Sequence, residues 1–505
     1  MSAPEVQTTL GQVRGVGQGG THAFLGIPYA APPIGALRFE SPQPAAPWRG
    51  VRECAAHGPA PMQARDGLSF ELGLLAEHPQ SEDSLTLNVW RPAAPAREPR
   101  AVMVWLHGGA FASGTAAGPA YQGAALAVRG DVIVVTLNYR VGALGFLHLA
   151  ARSNLGLQDQ LAALRFVQRE IEAFGGDPQR VTLFGESAGA GSIIALLGMP
   201  AARGLFQRAI VQSAAPGGQL SADEASARAK LLAEKLGGDA ADLAWWRSLP
   251  AERIVAGQGL AEPGPRRIGM FFAPVVDGGS LPEWPMRAIA AGSARDVALI
   301  IGTTANEMRL FQLVPGFGAM PEAALEPFVA AKLASATFRP GQNVREAAAR
   351  IVAAYPGATP LDRFFALETD ASLFAPSAQL AAAHARAADT WMYRFTWASP
   401  LRGGALGACH ALDVPFALGT HASTPELRAF AGDDARAARV AHATMDAWAA
   451  FARTGNPEHA SLGCAWPRYD EAKRATLELG DPCRTAFAPN EEKRRLWAEA
   501  LEDSR

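Results

Sequence analysis

The stretch Val181-Thr182-Leu183-Phe184-Gly185-Glu186-Ser187-Ala188-Gly189-Ala190 decides the fold of this chain. Its first four residues form an apolar, β-branched run that predicts a buried strand, and the small residues from Ala190 to Leu197 can open a helix. Between them, Gly185 to Gly189 fits G-x-S-x-G. A turn this sharp strains the serine backbone, and glycines on either side lack the Cβ atoms that would hold strand and helix apart. Ser187 is therefore presented with its Oγ at the tip. The helix behind it aims unpaired N–H groups and the positive end of its dipole at any oxyanion formed beside the serine. Gly and Ser also crowd ordinary turns, so the motif draws its weight from the strand before it and the helix after it.

Working outward, Ala101 to Leu106 is a continuous apolar run of the kind buried on both faces of a parallel sheet, and it ends in His107-Gly108-Gly109-Ala110-Phe111. Further strands are expected at Leu85 to Trp90, Asp131 to Leu137, Ala209 to Ser213, Asp296 to Gly302 and Trp391 to Thr396. Helices are expected at Gln158 to Phe174, Ala225 to Leu236 and Ala438 to Arg453. Alternating strands and helices predict a doubly wound α/β sheet with right-handed crossovers. Its site then lies at the C-terminal strand ends, where the elbow and the glycine loop also fall. Phe24 to Pro33, dense in Pro and Gly, reads as an extended surface segment. The Ala-rich region around 315–385 reads as a mainly helical insertion above the sheet. With no internal repeat and no long linker, residues 1–505 are expected to form one domain.

Of 505 residues, 49% are hydrophobic and 19% charged, which describes a globular chain with a sizeable core. The 46 basic and 48 acidic residues nearly cancel, so neither a nucleic-acid footprint nor a polybasic membrane patch is expected. The substrate is expected to be a small, uncharged molecule. Met1 to Val6 has no basic or apolar leader pattern, and the apolar runs are too short to span a bilayer. Cys54, Cys409, Cys464 and Cys483 lack metal-site spacing and read as free thiols. These features favour a cytoplasmic protein without metal or cofactor, as a monomer or weak homo-oligomer.

A serine hydroxyl needs an imidazole to take its proton, and the imidazole needs an acid to fix its tautomer. In α/β-hydrolase order both follow the serine, which leaves His384, His410, His421, His442 and His459. His410 is preferred because it follows Trp391 to Thr396, which reads as the final core strand, on a glycine-rich loop, whereas His384 and His442 lie in Ala-rich helical stretches. For the acid, Glu307 just past a strong strand competes with Asp277, whose Asp-Gly context is first a turn signal. Glu186 is expected to be a buried structural or electrostatic neighbour, and Ser213, at the end of the next strand, a supporting group. The oxyanion hole should combine the Ala188 N–H with donors from the loop of residues 107–111; His107 itself is expected to shape that loop. Gly108, Phe111, Phe271, Phe272 and Phe311 are candidate pocket residues, with core packing as the alternative role for the aromatics.

These residues resemble the type B carboxylesterase family, which includes bacterial para-nitrobenzyl esterases, animal carboxylesterases and cholinesterases. The likeness spans nearly the whole chain. Its matching stretches are Phe24 to Pro33, Ser81 to Leu85, His107 to Phe111, Phe174 to Pro178, Val181 to Gly189, Pro274 to Gly278, and Trp448 with Gly455-Asn456-Pro457. The resemblance implies an α/β-hydrolase fold with a mostly parallel central sheet, helices on both faces and helical insertions over the site. It implies a Ser187, Glu307, His410 triad and oxyanion donors at Gly109 and Ala110, with Gly108 preceding them. It also implies tolerance of bulky, even tertiary, alcohol groups.

The departures carry information too. Secreted members have cysteines at the positions of Pro61 and Ser84, so their first disulfide cannot form here. Residues 61–84 lack the tryptophan with which cholinesterases hold a quaternary ammonium, so choline esters are not expected as special substrates. Asp413 stands where many members have Glu. The expectation is a serine carboxylesterase acting through an acyl-enzyme. Its rivals are hydrolysis of carbamates, amides, thioesters or lactones by the same residues, and a non-catalytic binding or adhesion relative. Those relatives usually lose a triad member, whereas this chain keeps all three.

Overall fold

A computed structural model of the chain describes residues 3–149, 152–261, 270–314, 320–335 and 343–500. Eleven strands form one sheet, in spatial order Arg484–Phe487, Ala475–Leu479, Thr390–Phe395, Ala298–Thr304, Arg208–Gln212, Gly176–Glu186, Arg100–Leu106, Ile133–Leu137, Thr86–Pro92, Thr21–Pro28 and Val16–Gln18. Pairing is parallel from Ala475–Leu479 through Ile133–Leu137 and antiparallel at both margins. The architecture is the α/β-hydrolase one, with helices on both faces of a large, mostly parallel sheet.

Alternation along each strand divides the core between the faces. Val102, Val104 and Leu106 pack in one cluster and Ala101, Met103 and Trp105 in the other, and all six are essentially inaccessible. Leu299 and Ile301 likewise face one way and Ile300 the other. A strand covered on both sides must be apolar at every position, which is why these segments read as unbroken hydrophobic runs. Their register puts Leu106 beside Gly185, Glu186 beside Gln212 and Gln212 beside Gly302, so the strands end together at one rim.

Two expectations need correction. Phe24 to Pro33 is not a surface segment: Thr21–Pro28 is a strand of the main sheet, with Phe24 and Ile27 at 0% exposure. Gly26 at φ 71° sits in an irregularity of the pairing between Phe24 and Ile27, so the glycine that suggested a loop marks a bulge. Trp391 to Thr396 is not the last core strand, because Ala475–Leu479 extends the parallel sheet beyond it. The helical region around 315–385 divides between two cores. Helix Ala375–Ala385 packs Ala378, Leu380 and Ala381 into a sheet-face core. Helices Leu325–Ser335, Val344–Ala353 and Pro360–Thr369 instead build a third core, closed by Trp497 of the final helix. Residues 315–319 and 336–342 of that region lie outside the described residues.

Candidate active site

The elbow is built from backbone. Ser187 has φ 54° and ψ −121°, a conformation costly for any residue with a Cβ, and it sits between strand Gly176–Glu186 and helix Ala188–Gly198. Its N–H donates to the Gln212 carbonyl at 3.0 Å and its carbonyl accepts from Gly191 N–H at 2.8 Å, which fixes both sides of the turn. A Cβ on Gly189 would lie 2.0 Å from the Leu106 carbonyl oxygen, and one on Gly185 would lie 2.7 Å from the same atom. Both glycines are therefore required by the neighbouring strand as well as by the turn.

His410 is brought to the same rim by residues 396–409, which leave strand Thr390–Phe395. Its backbone N–H donates to the Glu307 carbonyl at 3.1 Å and its Nδ1 lies 2.7 Å from Glu307 Oε2. Glu307 is fully buried, and its other oxygen accepts the Thr304 N–H at 2.7 Å. The carboxylate is thus held from both ends and fixes the imidazole with its Nδ1–H inward. The other ring nitrogen, Nε2, lies 3.0 Å from Glu186 Oε1. Ser187 Oγ makes no hydrogen bond with another described residue, and Glu186 Oε1, although within ion-pair distance of Nε2, has no hydrogen-bond partner among them either. Catalytic contacts are commonly long in the empty site and close when substrate binds.

Two carboxylates around one imidazole set the electrostatics. Burial opposes charging of His410, but Glu186 and Glu307 outweigh it and raise its pKa to about 9. Burial raises Glu186 to about 8 against the opposing pull of His410. Beneath them Asp413, raised to about 6 chiefly by burial, accepts hydrogen bonds from Gln212 Nε2 at 3.0 Å and Tyr393 Oη at 2.7 Å.

The glycine loop leans on the elbow: a Cβ on Gly108 would be 2.9 Å from Glu186 Oε2 and 3.2 Å from Ser187 Cβ. Gly109, Ala110 and Phe111 all have positive φ, at 115°, 54° and 59°. The Gly109 carbonyl accepts from the N–H groups of Ala112 and Ser113, both at 2.9 Å, which turns the loop back on itself. The N–H groups of Gly109, Ala110 and Ala188 enter no hydrogen bond with another described residue. His107 is buried, stacks on Tyr139 at 4.2 Å between ring centroids, and is lowered to about 4 by desolvation.

Other candidates fall elsewhere. His384 is buried against Thr390 Oγ1 at 2.8 Å, His421 stacks on Phe416, and His459 contacts Ser461 on its own turn. Asp277 closes its own turn by accepting from Gly279 and Leu281 N–H groups. Ser213 is buried with φ 52°, and its Oγ has no partner among the described residues. Phe111 and Phe272 are 1% and 2% exposed within the core, and Phe271 packs edge-on against Phe272. Phe311 lies 6.1 Å from the His410 ring.

Sequence reasoning had placed Glu186 beside the serine but not against the histidine, and had noted Asp413 without its partners. The spacing of Asp413 three residues after His410 was the available signal for the latter. No group of three or more His, Cys, Asp or Glu among the described residues could hold a metal ion. The cysteines are all free, and no helix among the described residues is long and apolar enough to cross a membrane.

Residues 2–497 match the model of the carboxylesterase family. The chain is 39% identical over 498 residues to a para-nitrobenzyl esterase of Bacillus subtilis (strain 168), covering 97% of each. It is 35% identical over 490 residues to a phenmedipham hydrolase of Pseudarthrobacter oxydans, covering 95% of this chain and 96% of that one. A solved PNB esterase superposes with a TM-score of 0.87 at 37% identity, covering 98% of this chain and 99% of that one. With an elbow serine, a histidine and a buried glutamate gathered at one sheet rim, and with matches of this extent, the chain belongs to the carboxylesterase family.

Proposed function

We propose that Ser187, His410 and Glu307 carry the carboxylic ester hydrolysis that membership of this family gives the chain. The observation that carries these roles is the 2.7 Å contact of Glu307 Oε2 with His410 Nδ1, with the strained Ser187 turn on the same rim. Ser187 Oγ attacks the ester carbonyl as His410 Nε2 takes its proton. The imidazolium then protonates the leaving alcohol, and water releases the acyl group by the same relay. Glu307 holds the tautomer and stabilises the imidazolium. The N–H groups of Gly109, Ala110 and Ala188 receive the oxyanion.

The substrates we propose are uncharged esters, including those of bulky alcohols, admitted past Gly108 with Phe311 beside the base. The lack of a tryptophan in residues 61–84 argues against choline esters. The phenmedipham hydrolase relative makes that compound a second substrate to try. We place the protein in the cytoplasm as a monomer or weak homo-oligomer; the free thiols and the absence of cysteine at Pro61 and Ser84 support a reducing compartment.

The test is Ser187→Ala in a hydrolysis screen over acyl length and alcohol bulk. The variant should lose about 10,000-fold or more in kcat with an unchanged melting temperature, and an organophosphate should label Ser187 in the parent enzyme. Retained activity, or labelling elsewhere, overturns the assignment.

A further inference from the structure

The histidine stands on a loop and its acid where a second loop enters the short helix Glu307–Leu313, residues 308–409 lie between them in the chain, and something must set the distance between the two. We infer that Asn306 is the positioning residue that locks these loops in register, an inference that rests on the triad roles proposed above. Three contacts carry it. The Asn306 N–H donates to the Ala408 carbonyl at 2.8 Å, and Asn306 Oδ1 accepts the Ala408 N–H at 3.1 Å. One residue thus satisfies both backbone groups of Ala408, as a strand neighbour would, where the loop has no strand to pair with. The next pair outward is His410 N–H to the Glu307 carbonyl at 3.1 Å. The two ladders put the imidazole over the Glu307 carboxylate.

The fit at this point leaves no slack. Gly407 has φ 57°, and a Cβ there would lie 2.4 Å from Asn306 Oδ1 and 2.9 Å from its Cγ, with no atom of any other residue among its three nearest neighbours. The loop therefore narrows to a glycine at the place where the amide enters. Farther along, Arg309 Nη1 and Gln312 Nε2 both donate to the Ala405 carbonyl, at 3.0 and 3.3 Å, and tether the exposed part of the loop. Those two side chains are surface groups that steady the loop. Asn306 is the one joined directly to the segment that ends in His410. A misplacement of about 1 Å at a reacting group can lower a rate by about 100-fold, so this contact bears on catalysis and not only on folding.

The experiment compares Asn306→Ala, Asn306→Asp, Gly407→Ala and the Asn306→Ala/Gly407→Ala double variant. Rates are normalised to active sites titrated with a fluorophosphonate. Asn306→Ala should lower kcat by about 10- to 100-fold with KM within about 2-fold, and should slow fluorophosphonate labelling in parallel. Asn306→Asp keeps the acceptor oxygen, so its kcat should recover at the alkaline plateau. Its added negative charge should move the acid limb of the pH profile upward. Gly407→Ala should fall at least as far as Asn306→Ala, and the double variant should lose less than the two losses combined, because removing the amide removes the clash while the cost of a Cβ at positive φ remains.

A lower melting temperature with unchanged kcat per titrated site in Asn306→Ala would mean a purely structural role and overturn the inference. Additive losses in the double variant would overturn it as well. If Asn306→Ala does not fold, Asn306→Asp alone carries the kcat and pH readouts, and an unmoved acid limb there overturns the inference. Failure of the parent enzyme to be labelled at Ser187 would instead strike the triad assignment, so the two failures are distinguishable.

Discussion

The elbow and the histidine loop meet at one rim of the sheet but are held there by different means. Every residue from Val181 to Glu186 is buried, each is paired with a strand on one or both sides, and the turn is closed by glycines that abut the Leu106 carbonyl. The histidine loop instead runs free of the sheet through residues 402–405, which are exposed, with positive φ at Arg402, Gly403, Gly404 and Gly407. It is returned to the site by side-chain contacts from Asn306, Arg309 and Gln312. The nucleophile is thus placed by the ladder that also holds the core, and the base by polar contacts from residues 306–312 together with the burial of Leu406, Ala408 and Cys409 beside it. Damage to the first should show as lost stability, damage to the second as lost rate or a shifted pH profile.

The sharpest way to break that comparison is Glu307→Gln. The amide keeps an oxygen for the Thr304 N–H but can present an N–H to His410 Nδ1, which favours the wrong tautomer. We expect kcat to fall about 1,000- to 10,000-fold with little change in melting temperature, read by steady-state kinetics and calorimetry. A large loss of stability would show that the loop side is structural after all.

Gly189→Ala tests the other half. Its Cβ would meet backbone at 2.0 Å, which no rotamer change can relieve, so strand and helix must separate. Denaturant melts should show a loss of about 3 kcal/mol or more. An enzyme that keeps its stability but loses rate would reverse the contrast drawn between the two regions.

The smallest effect is expected from Glu186→Gln, and it sharpens the comparison because Glu186 belongs to the elbow but acts on the histidine. Removing this anion destabilises the imidazolium, so the His410 pKa should fall from about 9 toward the ordinary imidazole range. His410 is active as a base when neutral. The acid limb of kcat/KM should therefore move to lower pH, with activity gained below the parent limb and the alkaline plateau within about 10-fold. An unmoved limb would mean that the Glu186 charge does not act on His410.

Much of this was legible in the chain. The central strands could be read because burial on two faces demands an apolar residue at every position, as in Ala101 to Leu106. The elbow could be read because a strained turn between packed elements admits few residues, and Gly185, Ser187 and Gly189 are among them. The strand Thr21–Pro28 was misread because its glycine and proline are turn signals everywhere except at an irregular antiparallel margin. Ala475–Leu479, short and carrying Thr476 and Glu478, gave too brief a pattern to stand out.

From its sequence alone, then, the chain fixed the central strands of the sheet, the serine turn and the residue types for a proton relay, since each depends on contacts within a few positions or on burial that composition records. Only the tertiary structure decided that the His410 ring lies between Glu307 and Glu186, and that Asn306 ties the acid loop to the histidine loop. Those relations join segments that the chain keeps far apart. Polar contacts across such distances follow no period and leave no pattern in the order of the residues.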